Sequence, residues 1–279
     1  MRFEKWQALG NDYVIVEQSE LPWELTEVRI RALCALHTGV GSDGVLLLSE
    51  AEDPAHVARL RIFNPDGSES GLSGNGAREA VLYLRAAGWV EADRFAIVTA
   101  AGELRPTITG PGEVSMELGS AALTSADFPS GGSDGRGRVE SAGRHWDFQF
   151  VDVGNPQCVI EVESGLEELD LPTIGPAIER SELFPNRTNV SFVGFDGPRV
   201  RARIFERGVG ETLSSGTGAS GAAVAARLAG AEGPLSVSLD GGELEVGVGP
   251  ALELTLTGSA ERVYSAVLSD ELRARLAAL

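Results

Sequence analysis

RLRIFNPDGSESGLSGNGAREAVL, residues 59–82, and RARIFERGVGETLSSGTGASGAAV, residues 201–224, are one pattern written twice. The offset is constant at 142 positions, as from Ser73 to Ser215. It pairs Arg59 with Arg201, Arg61 with Arg203, Ile62 with Ile204 and Phe63 with Phe205. Further along, Glu69 meets Glu211, Ser73 meets Ser215, Gly74 meets Gly216 and Gly76 meets Gly218. A weaker echo pairs Gly10-Asn11 with Gly154-Asn155, each ahead of a hydrophobic run. A chain doubled in this way is expected to build two similar halves. Such halves can face each other across a cleft and offer one side chain to each face of a substrate. That suits taking a proton from one face of a carbon and returning one to the other.

Composition bounds the reading. At 279 residues the chain has room for one large or two medium domains, and the repeat favours two. Hydrophobic content of 43% and charged content of 23% are ordinary for a soluble globular protein. The formal net charge is -18, and Lys5 is the only lysine. So acidic a chain argues against a nucleic-acid partner. No apolar run reaches the length of a membrane-spanning helix, and the N-terminus lacks a signal-peptide layout, so a cytoplasmic protein is expected. Cys34 and Cys158 sit in apolar surroundings far apart in sequence and read as buried thiols rather than a disulfide. The three histidines have no metal-ligand spacing, and no metal site is expected.

The element pattern is α+β. Strands are predicted at Val45–Ser49, Ala58–Phe63, 146–153, 158–163, 189–194 and 199–206, and around the Gly10-Asn11-Asp12 turn. Helical spacing covers 26–37, 75–88, 173–181, 217–229 and the last residues, 269–278. The Pro-, Ser- and Gly-rich stretch 129–138 reads as an exposed hairpin loop. Residues 219–229 are apolar on nearly every side, so that helix must be buried. A sheet wrapped around a central helix in each half meets this requirement. The expected division is 1–117 plus 262–279 against 118–261, with the active site in the cleft between them.

Ser73-Gly74-Asn75-Gly76 and Ser215-Gly216-Thr217-Gly218 each lie at the turn into a predicted helix. The first N–H groups of a helix lack internal partners and lie at the positive end of its dipole. Glycines let a ligand approach that backbone, so the pair would bind an anion such as an α-carboxylate. One such motif alone could be only a serine N-cap and a turn; two at a matched offset argue for more.

At this point the chain resembles the diaminopimelate epimerase family, within the proline racemase-like group of cofactor-independent racemases. The resemblance rests on Leu9-Gly10-Asn11-Asp12-Tyr13, Gly39-Val40-Gly41-Ser42-Asp43-Gly44 and Phe63-Asn64-Pro65-Asp66-Gly67-Ser68-Glu69. It continues through Gly74-Asn75-Gly76-Ala77-Arg78, Gly154-Asn155-Pro156, Arg187-Thr188-Asn189, Glu206-Arg207-Gly208, Gly210-Glu211-Thr212 and Gly216-Thr217-Gly218. It implies inversion of LL-diaminopimelate to the meso form, in lysine and peptidoglycan synthesis, with no cofactor and with a homodimer as the assembly.

In that family a thiol from each half carries the proton, and the matching positions here are Ser73 and Ser215. Gln157 stands where the family commonly has a histidine that helps set the ionisation of a catalytic thiol. Glu206 remains and could accept a proton or hold the substrate ammonium. Asn11, Asn64, Asn155, Asn189 and Arg207 match positions that hold the distal carboxylate and ammonium. Gly74, Asn75, Gly216 and Thr217 match the cradle of the reacting carboxylate, and Gly44 matches a contact position. Asp43 and Asp66 read as turn caps. Three readings of the serines stay open: Cys-to-Ser replacement in a working epimerase, a natural Ser/Ser enzyme, or an amino-acid-binding paralogue without turnover. A related racemase, epimerase or dehydratase of hydroxyproline-like amino acids is the enzymatic alternative.

Overall fold

The computed structural model describes residues 1–279 and divides the chain into two units, Met1–Met116 with Gly258–Leu279, and Glu117–Thr257. The first unit contains β1 (Arg2–Ala8), β2 (Asn11–Glu17), α1 (Glu27–Cys34), β3 (Val45–Ser49), β4 (Ala58–Phe63), β5 (Glu69–Ser70), α2 (Gly74–Ala86), β6 (Ile97–Thr99), β7 (Gly102–Leu104) and β8 (Thr107–Gly110). The chain passes into the second unit within β9 (Glu113–Ser120). There follow β10 (Arg136–Ser141), β11 (Arg144–Asp152), β12 (Pro156–Glu161), α3 (Leu171–Glu179), β13 (Asn189–Asp196), β14 (Arg199–Glu206), β15 (Gly210–Thr212), α4 (Gly216–Leu228), β16 (Leu235–Leu239) and β17 (Gly242–Val248). It returns within β18 (Glu253–Ser259) to β19 (Glu261–Val267) and α5 (Asp270–Ala277).

The fold is α+β, and each unit carries the same mixed-sheet order. One sheet runs β19-β1-β2-β3-β4-β6-β7, with β5 on β4. The other runs β10-β11-β12-β13-β14-β16-β17-β18-β9-β8, with β15 on β14. From β1 to β7 the pairings alternate antiparallel and parallel, with β2–β3 and β4–β6 parallel. From β11 to β17 they alternate identically, with β12–β13 and β14–β16 parallel. The repeat extends to side chains. Arg61 makes a two-point ion pair with Glu69, at 2.9 and 2.7 Å, and Arg203 holds Glu211 at 3.0 and 2.6 Å. Each pair clips a short strand onto the strand that leads to its serine motif.

The central helix of each unit is made burial-tolerant by small residues. In α2, Ala77, Ala80, Val81 and Leu84 are fully buried, and the helix packs on β1, β2, β3, β4 and β19. In α4, Ala219, Ala222, Ala223 and Val224 are fully buried against β11–β14, β16 and β17. Alanine has the highest helix propensity and loses no side-chain entropy on burial, so these helices fit closely inside a curled sheet at little conformational cost. Behind the second sheet, α3 closes an aromatic core of Phe128, Trp146, Phe148, Phe150, Phe184 and Phe192. No helix is long and apolar enough to cross a membrane.

The stretch 129–138 is exposed at most of its positions, as read. It turns at 129–135, and β10 begins at Arg136. Gly135 has φ +68, its carbonyl accepts from the Phe150 N–H at 2.7 Å, and a Cβ there would lie 2.8 Å from the Phe150 carbonyl oxygen. Glycine at this point serves a close backbone approach that composition alone reads as flexibility. Cys34 and Cys158 are buried free thiols.

Candidate active site

In the first unit, Ser73 caps α2 with extended backbone (φ -131, ψ 120), and its Oγ accepts from the Gly76 N–H at 3.1 Å. That is the N-cap expected of serine, satisfying one of the helix's unpaired donors. The Oγ also accepts from the Tyr13 hydroxyl at 3.3 Å. Asn75 donates to Asn11 Oδ1 at 3.2 Å, and Asn11 Nδ2 donates to Asp43 at 3.0 Å. The Asp43 carboxylate also accepts the Asp12 N–H at 3.1 Å, and Lys5 bridges Asp12 at 3.1 Å to the Gly41 carbonyl at 2.6 Å. The Gly10-Asn11-Asp12 turn is thereby tied to the segment containing Gly44. A Cβ at Gly44 would lie 2.2 Å from the Phe63 carbonyl oxygen and 2.6 Å from the Tyr13 ring. Gly44 therefore makes room for the tyrosine that reaches Ser73. Asn64 donates to Ser68 Oγ at 2.9 Å, and Asp66 Oδ1 accepts the Ser68 N–H at 2.9 Å, so both also serve the turn after β4.

Beneath this end of α2 lie two buried ionisable side chains, Arg78 and Glu79. The guanidinium of Arg78, with no exposed surface, donates to Asn75 Oδ1 at 2.6 Å, Gly74 O at 3.2 Å and Ser259 O at 3.4 Å. Desolvation lowers its pKa to about 10. Glu79 is equally buried, and burial pushes its carboxyl well above the usual range, with Asp12 and Asp43 adding to the rise and Arg78 opposing it. The folded chain thus holds this proton more tightly than the unfolded chain. Its contribution to stability falls as pH rises from about 4.3, the ordinary glutamate value, toward the folded pKa. Glu79→Gln keeps the shape of the neutral acid and removes the ionisation. Its Tm gain over the parent is expected to be about 3 °C or more larger at pH 8 than at pH 5 in thermal melts. An equal gain at both pH values would sink this assignment.

The second unit repeats the cap with a different partner. Ser215 (φ -145, ψ 117) accepts from the Gly218 N–H at 3.2 Å. Near it, the Glu206 carboxylate accepts from Thr212 Oγ1 at 2.8 Å and feels the Ser215 hydroxyl electrostatically. Burial raises the Glu206 pKa, and the Thr212 and Ser215 hydroxyls oppose the rise. The matched position in the first unit is Asn64, so Ser73 has no repeat-related carboxylate.

Asn155 donates to Thr217 Oγ1 at 3.3 Å and accepts from Gln157 Nε2 at 2.6 Å. Gln157 is fully buried, and its Oε1 has no hydrogen-bond partner. An amide does not titrate, and this one is linked to Asn155, so it acts by orienting the asparagine. Asn189 Oδ1 accepts the Arg207 N–H at 2.8 Å, and the exposed Arg207 side chain donates to the Asn186 carbonyl at 2.9 Å. Buried Glu179 pairs with Arg187 and accepts the Gly208 N–H at 2.8 Å, anchoring the same loop.

Each serine motif therefore gathers its predicted neighbours within its own unit: Asn11, Gly44 and Asn75 near Ser73, and Glu206 and Thr217 near Ser215. Sequence reasoning assigns no role to Tyr13, Glu79, Thr212 or Glu179. Tyr13 and Thr212 lie inside the quoted motifs, which was the available signal. Cys34 in α1 and Cys158 in β12 lie outside both cap motifs, and burial pushes both thiols up, so neither is an available proton carrier.

The family model for diaminopimelate epimerase matches residues 3–124 and 149–263. This chain belongs to the diaminopimelate epimerase family. The diaminopimelate epimerase of Synechococcus sp. strain JA-3-3Ab is 38% identical, across 97% of this chain and 99% of its own length. Diaminopimelate epimerase 2 of Nostoc sp. strain PCC 7120 is 37% identical, across 98% and 97%. Among solved structures, a hydroxyproline epimerase from Agrobacterium vitis with bound trans-4-hydroxy-L-proline aligns with a TM-score of 0.68 at 17% identity, covering 99% of this chain and 98% of its own. A Bacillus anthracis phenazine biosynthesis protein of the PhzF family aligns with a TM-score of 0.66 at 20% identity, covering 96% and 99%. At those identities the structures speak for the fold alone. The chain is thus a full-length homologue of amino-acid epimerases of the diaminopimelate epimerase family.

Proposed function

We propose that this chain inverts the α-carbon of LL-diaminopimelate to the meso form, without a cofactor, by taking a proton at one serine and returning one at the other. The observation that carries the reading is the matched pair of serine caps, Ser73 accepting the Gly76 N–H at 3.1 Å and Ser215 the Gly218 N–H at 3.2 Å, with the raised Glu206 carboxylate within electrostatic reach of Ser215. A serine hydroxyl is a weak base on its own, and an adjacent carboxylate is what activates it. Family membership supplies the substrate class.

The remaining assignments follow from chemistry. The α4 cap uses the Gly218 and Ala219 N–H groups, so the first N–H groups, of Gly216 and Thr217, are not taken up by it. They suit the reacting carboxylate, whose negative charge grows as the α-proton leaves. Asn11, Asn64, Asn155 and Asn189 offer neutral donors and acceptors for the ammonium and distal carboxylate. Arg207 offers the planar fork that pairs with a carboxylate.

The direct test is α-proton exchange from LL-diaminopimelate in D2O, followed by proton NMR with the unaltered chain. Exchange with appearance of the meso form is expected. Tight binding by calorimetry with no exchange would make the protein a receptor instead. Arg207→Ala is expected to weaken binding of diaminopimelate about tenfold or more in the same calorimetry, the loss of about 1.5–3 kcal/mol carried by a charged hydrogen bond. Unchanged affinity would remove Arg207 from the binding set.

A further inference from the structure

We propose that the buried guanidinium of Arg78 is the positioning residue of the carboxylate cradle at the start of α2, and that the bound carboxylate is its counter-charge. For the identity of that carboxylate, this rests on the epimerase reading above. It starts from a break in the repeat, which sets Ser220 opposite Arg78 and Gly221 opposite Glu79. Both matched side chains reach the carbonyl four residues back. Ser220 Oγ donates to Gly216 O at 2.8 Å, and Arg78 Nη1 donates to Gly74 O at 3.2 Å. A neutral hydroxyl therefore suffices for that bond in α4. In α2 the same place carries a positive charge, which also donates to Asn75 Oδ1 at 2.6 Å and Ser259 O at 3.4 Å. Gly74 and Asn75 are the cradle residues themselves, so the guanidinium holds both.

The charge has no opposite where it stands. Arg78 has no exposed surface, and its acceptors are an amide oxygen and two main-chain carbonyls, none of them anionic. Glu79 is also fully buried, and neither of its carboxyl oxygens has a hydrogen-bond partner. A carboxyl so placed keeps its proton, because ionisation would leave a desolvated charge without donors. Asp12 and Asp43 accept each other's backbone N–H groups, and Asp12 pairs with Lys5 while Asp43 accepts from Asn11. A buried, unpaired guanidinium is costly, and a cation in the first turns of a helix also opposes the helix dipole.

A carboxylate bound at the Gly74 and Asn75 backbone supplies the missing negative charge. The cation is already in place and out of water, so its attraction costs no reorganisation. That attraction grows with the charge the carboxylate gains as the α-proton leaves. Ser220 brings no such charge to the start of α4. The two helix starts, alike in their serine caps, thus differ in their pull on an anion, and α2 is the stronger.

The first test needs neither ligand nor turnover. Ser73→Cys places a thiol on the residue before Gly74, and its alkylation by iodoacetamide is followed against pH in the full chain. Cys34 and Cys158, buried and raised by burial, provide a slow background. The Tyr13 hydroxyl, 3.3 Å from Ser73 Oγ, is common to every variant compared. Arg78→Gln keeps an amide donor on this turn of the helix and removes the charge. It is expected to move the labelling midpoint up by about one pH unit or more, because the thiolate loses a nearby cation. Arg78→Lys keeps a cation and is expected to recover about half of that shift or more. Arg78→Met takes the place of the glutamine variant should that one not fold. An unmoved midpoint, or equal shifts in the lysine and neutral variants, overturns the proposal whether or not the protein epimerises diaminopimelate. The second test is made in the serine protein. Arg78→Gln is expected to weaken diaminopimelate binding about tenfold by calorimetry and to lower the saturating rate of α-proton exchange by about tenfold more. A saturating rate equal to that of the parent would overturn the assignment of Arg78 to the reacting carboxylate. No exchange by the unaltered chain, with the midpoint shift intact, would sink the epimerase reading and still support Arg78 as the positioning residue of this cradle.

Discussion

Glu206→Gln is expected to lower the rate of α-proton exchange from LL-diaminopimelate by about 10²–10⁴-fold, the range typical of losing a positioned general base. Glutamine keeps the size of the side chain and can still accept from Thr212 Oγ1, which holds Glu206 at 2.8 Å. It cannot take the hydrogen of Ser215. The loss should therefore fall on the rate, with affinity by calorimetry changed only a few-fold. The pH profile carries the same signature. Burial raises the Glu206 pKa, and the ionised form is the base. Activity is therefore present above that pKa and lost as pH falls through it. The acidic limb should lie above about 4.3, the ordinary glutamate value, and vanish in the residual activity of the variant. Exchange at the parental rate in Glu206→Gln would remove the carboxylate from the mechanism.

Ser73→Cys combined with Ser215→Cys is expected to raise the epimerisation rate about a hundredfold or more, because a thiol with an ordinary pKa of about 8.5 exists partly as thiolate near neutral pH. Both positions are helix N-caps, where the dipole further favours an anion. Each Oγ already accepts a backbone N–H, at 3.1 Å from Gly76 and 3.2 Å from Gly218, which a thiolate would keep. One replacement alone should fall well short of the pair, since a two-base reaction is limited by its poorer proton carrier. A double variant that folds and binds but is slower than the serine parent would mean the site is built around hydroxyls.

The sequence readings that hold are those whose causes are local. Val45–Ser49 and Ala58–Phe63 are strands with those bounds, as apolar runs closed by turn residues. The serine caps hold because capping is settled within four residues. Burial of α4 follows from its alanines. The stretch 129–138 is an exposed turn region as read, but composition does not show that Gly135 is needed for its approach to Phe150.

By itself, the sequence determined that there are two related halves and that each presents a helix start capped by a serine. These rest on pattern and short-range bonding, which a linear reading can see. Tertiary structure alone decided what each serine touches. Tyr13 reaches Ser73 across 60 residues, and the Asn75–Arg78–Ser259 bonds span up to 181. Gly44 acquires its purpose from the ring it admits. Burial, which raises Glu206 and Glu79, is a property of the packed sheet and helix rather than of any neighbour in sequence. Two equal motifs thus acquire different neighbours, Tyr13 at Ser73 and Glu206 near Ser215, through the side chains the fold brings to them.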